Sequence, residues 1–116
     1  VVCGADFSTT LNSRFREARY VADAGDHAQA AELFAMLVDD YARIRGADHT
    51  GTLDDRFWQA RFVGQAGDPA LAADLFTTLE RDNTRVRGAT HAETRYCHEW
   101  KATYAKAARG GGRSRG

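Results

Sequence analysis

Apolar residues recur along this chain at spacings of three and four, the signature of helices that each turn one face to a core. From Ser8 to Ala24 the stripe is Leu11, Phe15, Ala18, Val21 and Ala22. A second stripe, Ala30, Leu33, Phe34, Leu37, Val38 and Ile44, predicts a helix over 27–45. Its equivalent over 69–87 keeps Ala72, Leu75, Phe76, Leu79 and Val86. Gly25-Asp26 and Gly67-Asp68-Pro69 precede these second helices. Glycine can take the left-handed conformation that ends a helix, and aspartate can cap the next one by accepting from its free N–H groups. Proline suits the first helical position, where its missing donor is harmless. Arg43, Arg45, Arg85 and Arg87 fall in last turns, where positive charge suits the helix dipole. Strand-like alternation is absent, so the chain reads as all-α, built from antiparallel helix-turn-helix units.

The pattern is written twice. Shifted by 42 positions, residues 4–45 fall on 46–87 with 22 of 42 residues identical. A fainter third copy begins at Gly88 and keeps Ala89, His91, Thr94, Trp100, Ala102 and Ala108. Self-similarity at such a period means a stacked array of one supersecondary unit, here about five helices. Residues 1–7 match the end of the unit, so they read as the end of a preceding repeat, and the chain as a C-terminal piece of a longer protein. Residues 8–45 and 46–87 are the two complete repeats. Residues 88–108 form a partial third, with one helix over 92–108. It has Arg95, Glu99 and Ala105 where the second copy has Leu53, Phe57 and Val63, as the polar cap of an array requires. The tail 109–116 carries no large apolar residue and is expected to be disordered, with a natural end.

Composition alters this picture little. The hydrophobic share of 43% and charged share of 28% are ordinary for a soluble chain. No apolar run approaches the roughly 20 residues that span a bilayer. Cys3 and Cys97 form no disulfide framework, which points to a reducing cytoplasm. The formal charge of zero hides an asymmetry. Residues 1–92 hold ten basic and fourteen acidic side chains, whereas residues 93–116 hold six basic and two acidic ones. A basic tail can touch an acidic partner, or simply keep one end soluble.

The segments AGDHAQAAELF (24–34) and AGDPALAADLF (66–76), with Ala18 and Ala60 before them, resemble tetratricopeptide repeats. In that motif small residues let two helices approach and an aromatic fills the space between them. Ala18, Ala30 and Phe34 occupy those positions, as do Ala60, Ala72 and Phe76. The period of 42 and the G-x-x-H-x-x-T linkers at Gly46–Thr52 and Gly88–Thr94 resemble the longer, kinesin-light-chain-like subclass found in actinobacterial multidomain regulators. The resemblance implies a right-handed α-solenoid, non-catalytic, that holds a peptide or partner domain on its concave face. The first helices of each pair would line that face through Asn12, Phe15 and Arg19, then Asp54, Phe57 and Arg61, then Tyr96, Glu99 and Thr103.

Each candidate has a plainer reading beside it. Phe15/Arg19 and Phe57/Arg61 each put a ring and a guanidinium on one helix face, four residues apart. Arginine forks onto carboxylates and stacks on rings, so an acidic or aromatic peptide is the natural ligand. Alternatively, the phenylalanines are core, and the arginines pair with Glu17, Asp23 or Asp54. His49 and His91 share a repeat position and read as helix-start residues bonded to backbone. Trp58 and Trp100 also share one and read as packing residues. His91, Cys97 and His98 make poor metal ligands, because adjacent residues on a helix diverge by about 100°. Cys97 lacks a matched base, the glycines of 110–112 follow a helix rather than open one, and no basic patch is interleaved with aromatics. No enzyme, cofactor, metal or nucleic-acid partner is therefore expected. The alternative to a peptide groove is self-association, or an intramolecular regulatory role within a larger regulator. A missing preceding repeat would bare Phe7, Leu11 and Ala18, so a homodimer is expected for this chain.

Overall fold

The computed structural model describes the backbone of residues 3–114 and the side chains of residues 10–110. It contains five helices: α1 (Cys3–Asp23), α2 (His27–Arg45), α3 (Thr50–Gln65), α4 (Pro69–Arg87) and α5 (Ala92–Ser114). Among the described residues there is no strand. The chain is all-α, as the apolar periodicity requires.

The stops and starts follow from local chemistry. Gly25 and Gly67 end α1 and α3 with φ of +100° and +111°, where a side chain would be strained. The next residue then bonds back, Asp26 N–H to the Val21 carbonyl and Asp68 N–H to the Val63 carbonyl, both at 3.2 Å. Each of these aspartates also caps the next helix: Asp26 Oδ1 accepts from Gln29 N–H at 3.1 Å, and Asp68 Oδ1 from Leu71 N–H at 3.2 Å. The longer linkers use a different device, also twice. His49 Nδ1 accepts from Gly51 N–H at 3.0 Å, and His91 Nδ1 from Glu93 N–H at 3.1 Å. Three residues on, the hydroxyls of Thr52 and Thr94 donate to the carbonyls of Gly46 and Gly88, each at 2.8 Å. That explains the glycine, histidine and threonine of the linker motif. The two histidines are structural caps.

Two boundaries differ from the sequence reading. The helix expected from Ser8 begins at Cys3 and runs through Gly4, while Val1 and Val2 lie outside the described residues. The helix expected to end at Ala108 continues to Ser114. Gly110 takes no positive φ and the helix runs on through Gly111 and Gly112, although each glycine weakens it by about 1 kcal/mol relative to alanine. Of the tail expected to be disordered, Arg115 and Gly116 lie outside the described residues.

Every helix packs on its neighbours in the chain, and α3 also touches α5. The hairpins are antiparallel: residues near the far ends pair, such as Arg14 with Asp40 and Arg56 with Asp82, at 2.7 and 2.8 Å. The shape is long and flat, 58 × 34 × 19 Å. Each hairpin closes on small residues, with Ala18 and Ala30, then Ala60 and Ala72, fully buried. Phe34 and Phe76 fill the space beside them, also fully buried, and meet the edges of Phe15 and Phe57 at 5.3 and 5.6 Å. One core joins α1, α2 and α3 around Phe34 and Leu37, and a second joins α3, α4 and α5 around Phe76 and Leu79. Helix α3 is the shared wall between them.

The apolar face expected to be bared on α1 is not bare. Leu11 and Ala18 are 4% and 0% exposed, because α2 covers them. Phe7 lies outside the side chains described. The large exposed ring on α1 is Tyr20.

Candidate functional site

Residues in register on α1, α3 and α5 enclose a groove of about 490 Å³. Its lining takes Asn12 and Phe15 from α1, Asp54 and Phe57 from α3, and Tyr96 from α5. Asn12, Asp54 and Tyr96 hold the same repeat position, as do Phe15 and Phe57, so the register of the repeat builds the groove. Leu11, Tyr41 and Trp58 complete the apolar wall. Tyr41 packs flat against Gly51, where no Cβ would fit, and so closes the side toward α2. Tyr96 stands 47% exposed at the rim.

Part of the groove lining is acidic. Asp54, Asp55 and Glu93 all contribute to it. Asp54 is met by Arg87, whose Nη2 donates to it at 3.0 Å and to the Thr50 carbonyl at 3.2 Å. Arg87 Nη1 lies 4.0 Å from Glu93, an ion pair outside hydrogen-bond reach, and is buried with no hydrogen-bond partner. Asp55 is different. It is 3% exposed, and its Oδ2 is buried with no hydrogen-bond partner. Burial, with the neighbouring Asp54 charge, raises its carboxyl to about 7, against a smaller opposing pull from Arg14. Arg14 is itself engaged with Asp40 at 2.7 Å. A carboxylate kept buried without a partner costs stability, which makes Asp55 a candidate for function rather than for architecture.

Four of the nine sequence candidates lie outside this lining. Arg19 and Arg61 instead form a column with the tryptophans of the following copy. The Arg19 guanidinium sits 4.2 Å from the Trp58 ring centre, and that of Arg61 sits 4.0 Å from Trp100 and 5.9 Å from Trp58. The Nε of each arginine is buried without an acceptor, so the indole face is what it has in place of a carboxylate. Neither pairs with Glu17, Asp23 or Asp54. Glu99 and Thr103 are exposed on α5, and the Thr103 hydroxyl donates to the Glu99 carbonyl at 3.0 Å.

The column stitches successive repeats together. Each cation–π contact is worth about 0.5–2 kcal/mol, and the arginine stems add packing. Replacing Arg19 and Arg61 together by alanine is expected to cost about 2 kcal/mol, read as a lower urea midpoint. An unchanged midpoint would mean the column contributes nothing.

Six lining residues, Leu11, Tyr41, Gly51, Asp55, Trp58 and Glu93, are not among the groove residues expected from the sequence. Asp55 aligns with Ser13 and Cys97, so the repeat comparison alone flags it as the copy that departs. Trp58, read as packing, also forms part of the groove wall. Cys97 at the same position is buried, its thiol pushed up to about 12 by desolvation, and it accepts weakly from Asn83 Nδ2 at 3.6 Å. Desolvation thus favours the protonated thiol over the nucleophilic thiolate. Among the described residues no three His, Cys, Asp or Glu side chains are grouped to hold a metal. No described helix is long and apolar enough to cross a membrane.

Comparison with family models, with curated proteins and with solved structures finds no match to this chain.

Proposed function

We propose that this chain is a non-catalytic, tetratricopeptide-like interaction module that holds an extended peptide of a partner protein in the groove of α1, α3 and α5. The observation that carries the reading is the groove itself: about 490 Å³, lined at repeat-equivalent positions by rings and a few polar groups. Such a lining is what recognition of a segment uses, with apolar area for affinity and sparse polar groups for orientation. The buried Ala18, Ala30 and Phe34, with their counterparts Ala60, Ala72 and Phe76, support the repeat resemblance and with it a right-handed solenoid. Fold alone would not license a function, so the claim rests on the groove.

A test separates groove binding from mere stickiness. Peptides selected from a displayed random library should lose about tenfold or more in affinity against the double variant Asn12→Ala, Tyr96→Ala. Both side chains are exposed, so the thermal midpoint should stay within a degree or two of the parent. A selection that returns no binder, or binders indifferent to this variant, would overturn the reading.

The self-association reading keeps one observation in its favour. Tyr20 is 74% exposed and borders a shallow 220 Å³ depression formed wholly by α1, with Phe15, Arg16, Arg19 and Asp23. Sedimentation over a range of concentrations decides whether a second copy covers it.

A further inference from the structure

We infer that the groove takes an arginine-bearing segment, whose guanidinium enters between Asp54, Asp55 and Glu93 and lies against the surrounding rings. This rests on the peptide-binding reading above and gives it a charge. The acidic or aromatic ligand expected from the sequence requires Arg19 and Arg61 to face the groove. They lie on indoles outside it, and the charged side chains in the groove lining are carboxylates.

The charge balance favours a cation. Asp54 and Glu93 share one guanidinium, that of Arg87, which makes a hydrogen bond only to the first. Asp55 then adds a carboxylate whose buried Oδ2 has nothing to accept from. Arg14, the cation that acts on Asp55, is itself bonded to Asp40. A second guanidinium brings planar, paired donors that can serve two carboxylates at once. It also suits the walls, since Phe15, Phe57 and Tyr41 line the groove, and aromatic rings attract a cation in a partly desolvated site. An acidic peptide would meet three carboxylates there and be repelled.

The inference carries a pH signature. Asp54 on α3 and Arg14 on α1 act on Asp55 directly; Tyr41 on α2 and Glu93 and Tyr96 on α5 share the groove with it, His49 lies beside Tyr41, and Arg87 on α4 reaches Asp54. A guanidinium favours the ionised carboxylate, so binding releases a proton and affinity rises as pH climbs through about 7. The ligand's own arginine does not titrate in this range.

Fluorescence anisotropy with three short labelled peptides tests it, alternating glycine with arginine, with glutamate or with serine. The arginine peptide should bind, the other two should bind at least tenfold more weakly, and Asp55→Asn should cost the arginine peptide tenfold or more. Asp55→Asn is isosteric and removes an unpartnered buried charge, so lost binding cannot be blamed on lost folding if its thermal midpoint holds or rises. Should that variant fail to fold, Glu93→Gln, at a carboxylate better exposed than Asp55, should weaken the arginine peptide severalfold. Equal binding of the glutamate or serine peptide, or full affinity in the variants, would overturn the charge assignment and leave the peptide groove standing. Binding by none of the three would overturn both.

Discussion

Replacing Phe76 by alanine is expected to lower the stability of the folded chain by about 3–5 kcal/mol. The ring is fully buried, meets Phe57 edge-on at 5.6 Å and stacks on Tyr104 at 6.0 Å. It thus joins α3, α4 and α5 at one point. The cavity left behind cannot close easily, because Ala60 and Ala72 already hold the two helices of the hairpin as near as side chains allow. A domain of this size has roughly 5–15 kcal/mol in total, so one ring would account for a large share. Phe34→Ala should behave alike, since Phe34 is as buried and meets Phe15 and Phe62. Met36→Ala, on a residue 57% exposed two positions away, should stay within about 0.5 kcal/mol. Urea unfolding followed by far-ultraviolet circular dichroism measures all three. A Phe76→Ala loss no greater than that of Met36→Ala would mean the two cores are not packed as described.

The second large effect has the opposite sign. Asp55→Asn is expected to stabilise the unliganded chain above neutral pH and to change little at pH 4. In the folded chain Asp55 ionises near 7, against an ordinary 3.8, so the native state holds a proton that the unfolded state has released. Stability therefore falls as pH rises from about 4 to about 7, and the cost is complete above that window. Three units at about 1.4 kcal/mol each set an upper bound near 4 kcal/mol, and about 2 kcal/mol is a fair expectation once some relaxation is allowed. Asp40, Asp82 and Glu80 shift the other way. Arg14 and Arg43 hold Asp40 below its usual range, Arg56 and Arg85 outweigh the burial of Asp82, and Lys101 with His98 outweighs that of Glu80. Their contributions are present above the ordinary carboxylate range and fade as pH falls, in parent and variant alike. The difference between the two stability curves thus isolates Asp55. A variant no more stable than the parent at pH 8 would mean the carboxylate is already compensated, and the case for a ligand cation would weaken with it.

Helix limits and hairpin cores were legible because their causes are local. Gly25-Asp26 and Gly67-Asp68 carry their own stop and cap, and Ala18, Ala30 and Phe34 need only a helical spacing to be recognised. The start of α1 differs because residues 1–7 align with the end of the repeat unit, yet the helix passes through Gly4, since a glycine ends a helix only where a left-handed turn is built. The groove was half legible. Asn12, Phe15, Asp54, Phe57 and Tyr96 reach it because equivalent positions on α1, α3 and α5 project alike. Arg19 and Arg61 do not, and nothing within their own helices could say so, since their indoles come from the next copy. Asp55 was hidden for a related reason. A polar residue beside an apolar stripe reads as solvent-facing, but α3 is the wall between two cores and is buried on both sides.

Whether α1, α3 and α5 together form the binding surface is open to direct measurement. The most direct measurement is a titration of the isotope-labelled chain with the glycine–arginine peptide, followed by amide chemical shifts. We expect saturable shifts at Asn12, Phe15, Asp54, Asp55, Phe57 and Tyr96, on three helices at once. Shifts confined to the opposite side, around the exposed Met36 of α2 and Leu71 of α4, would contradict it.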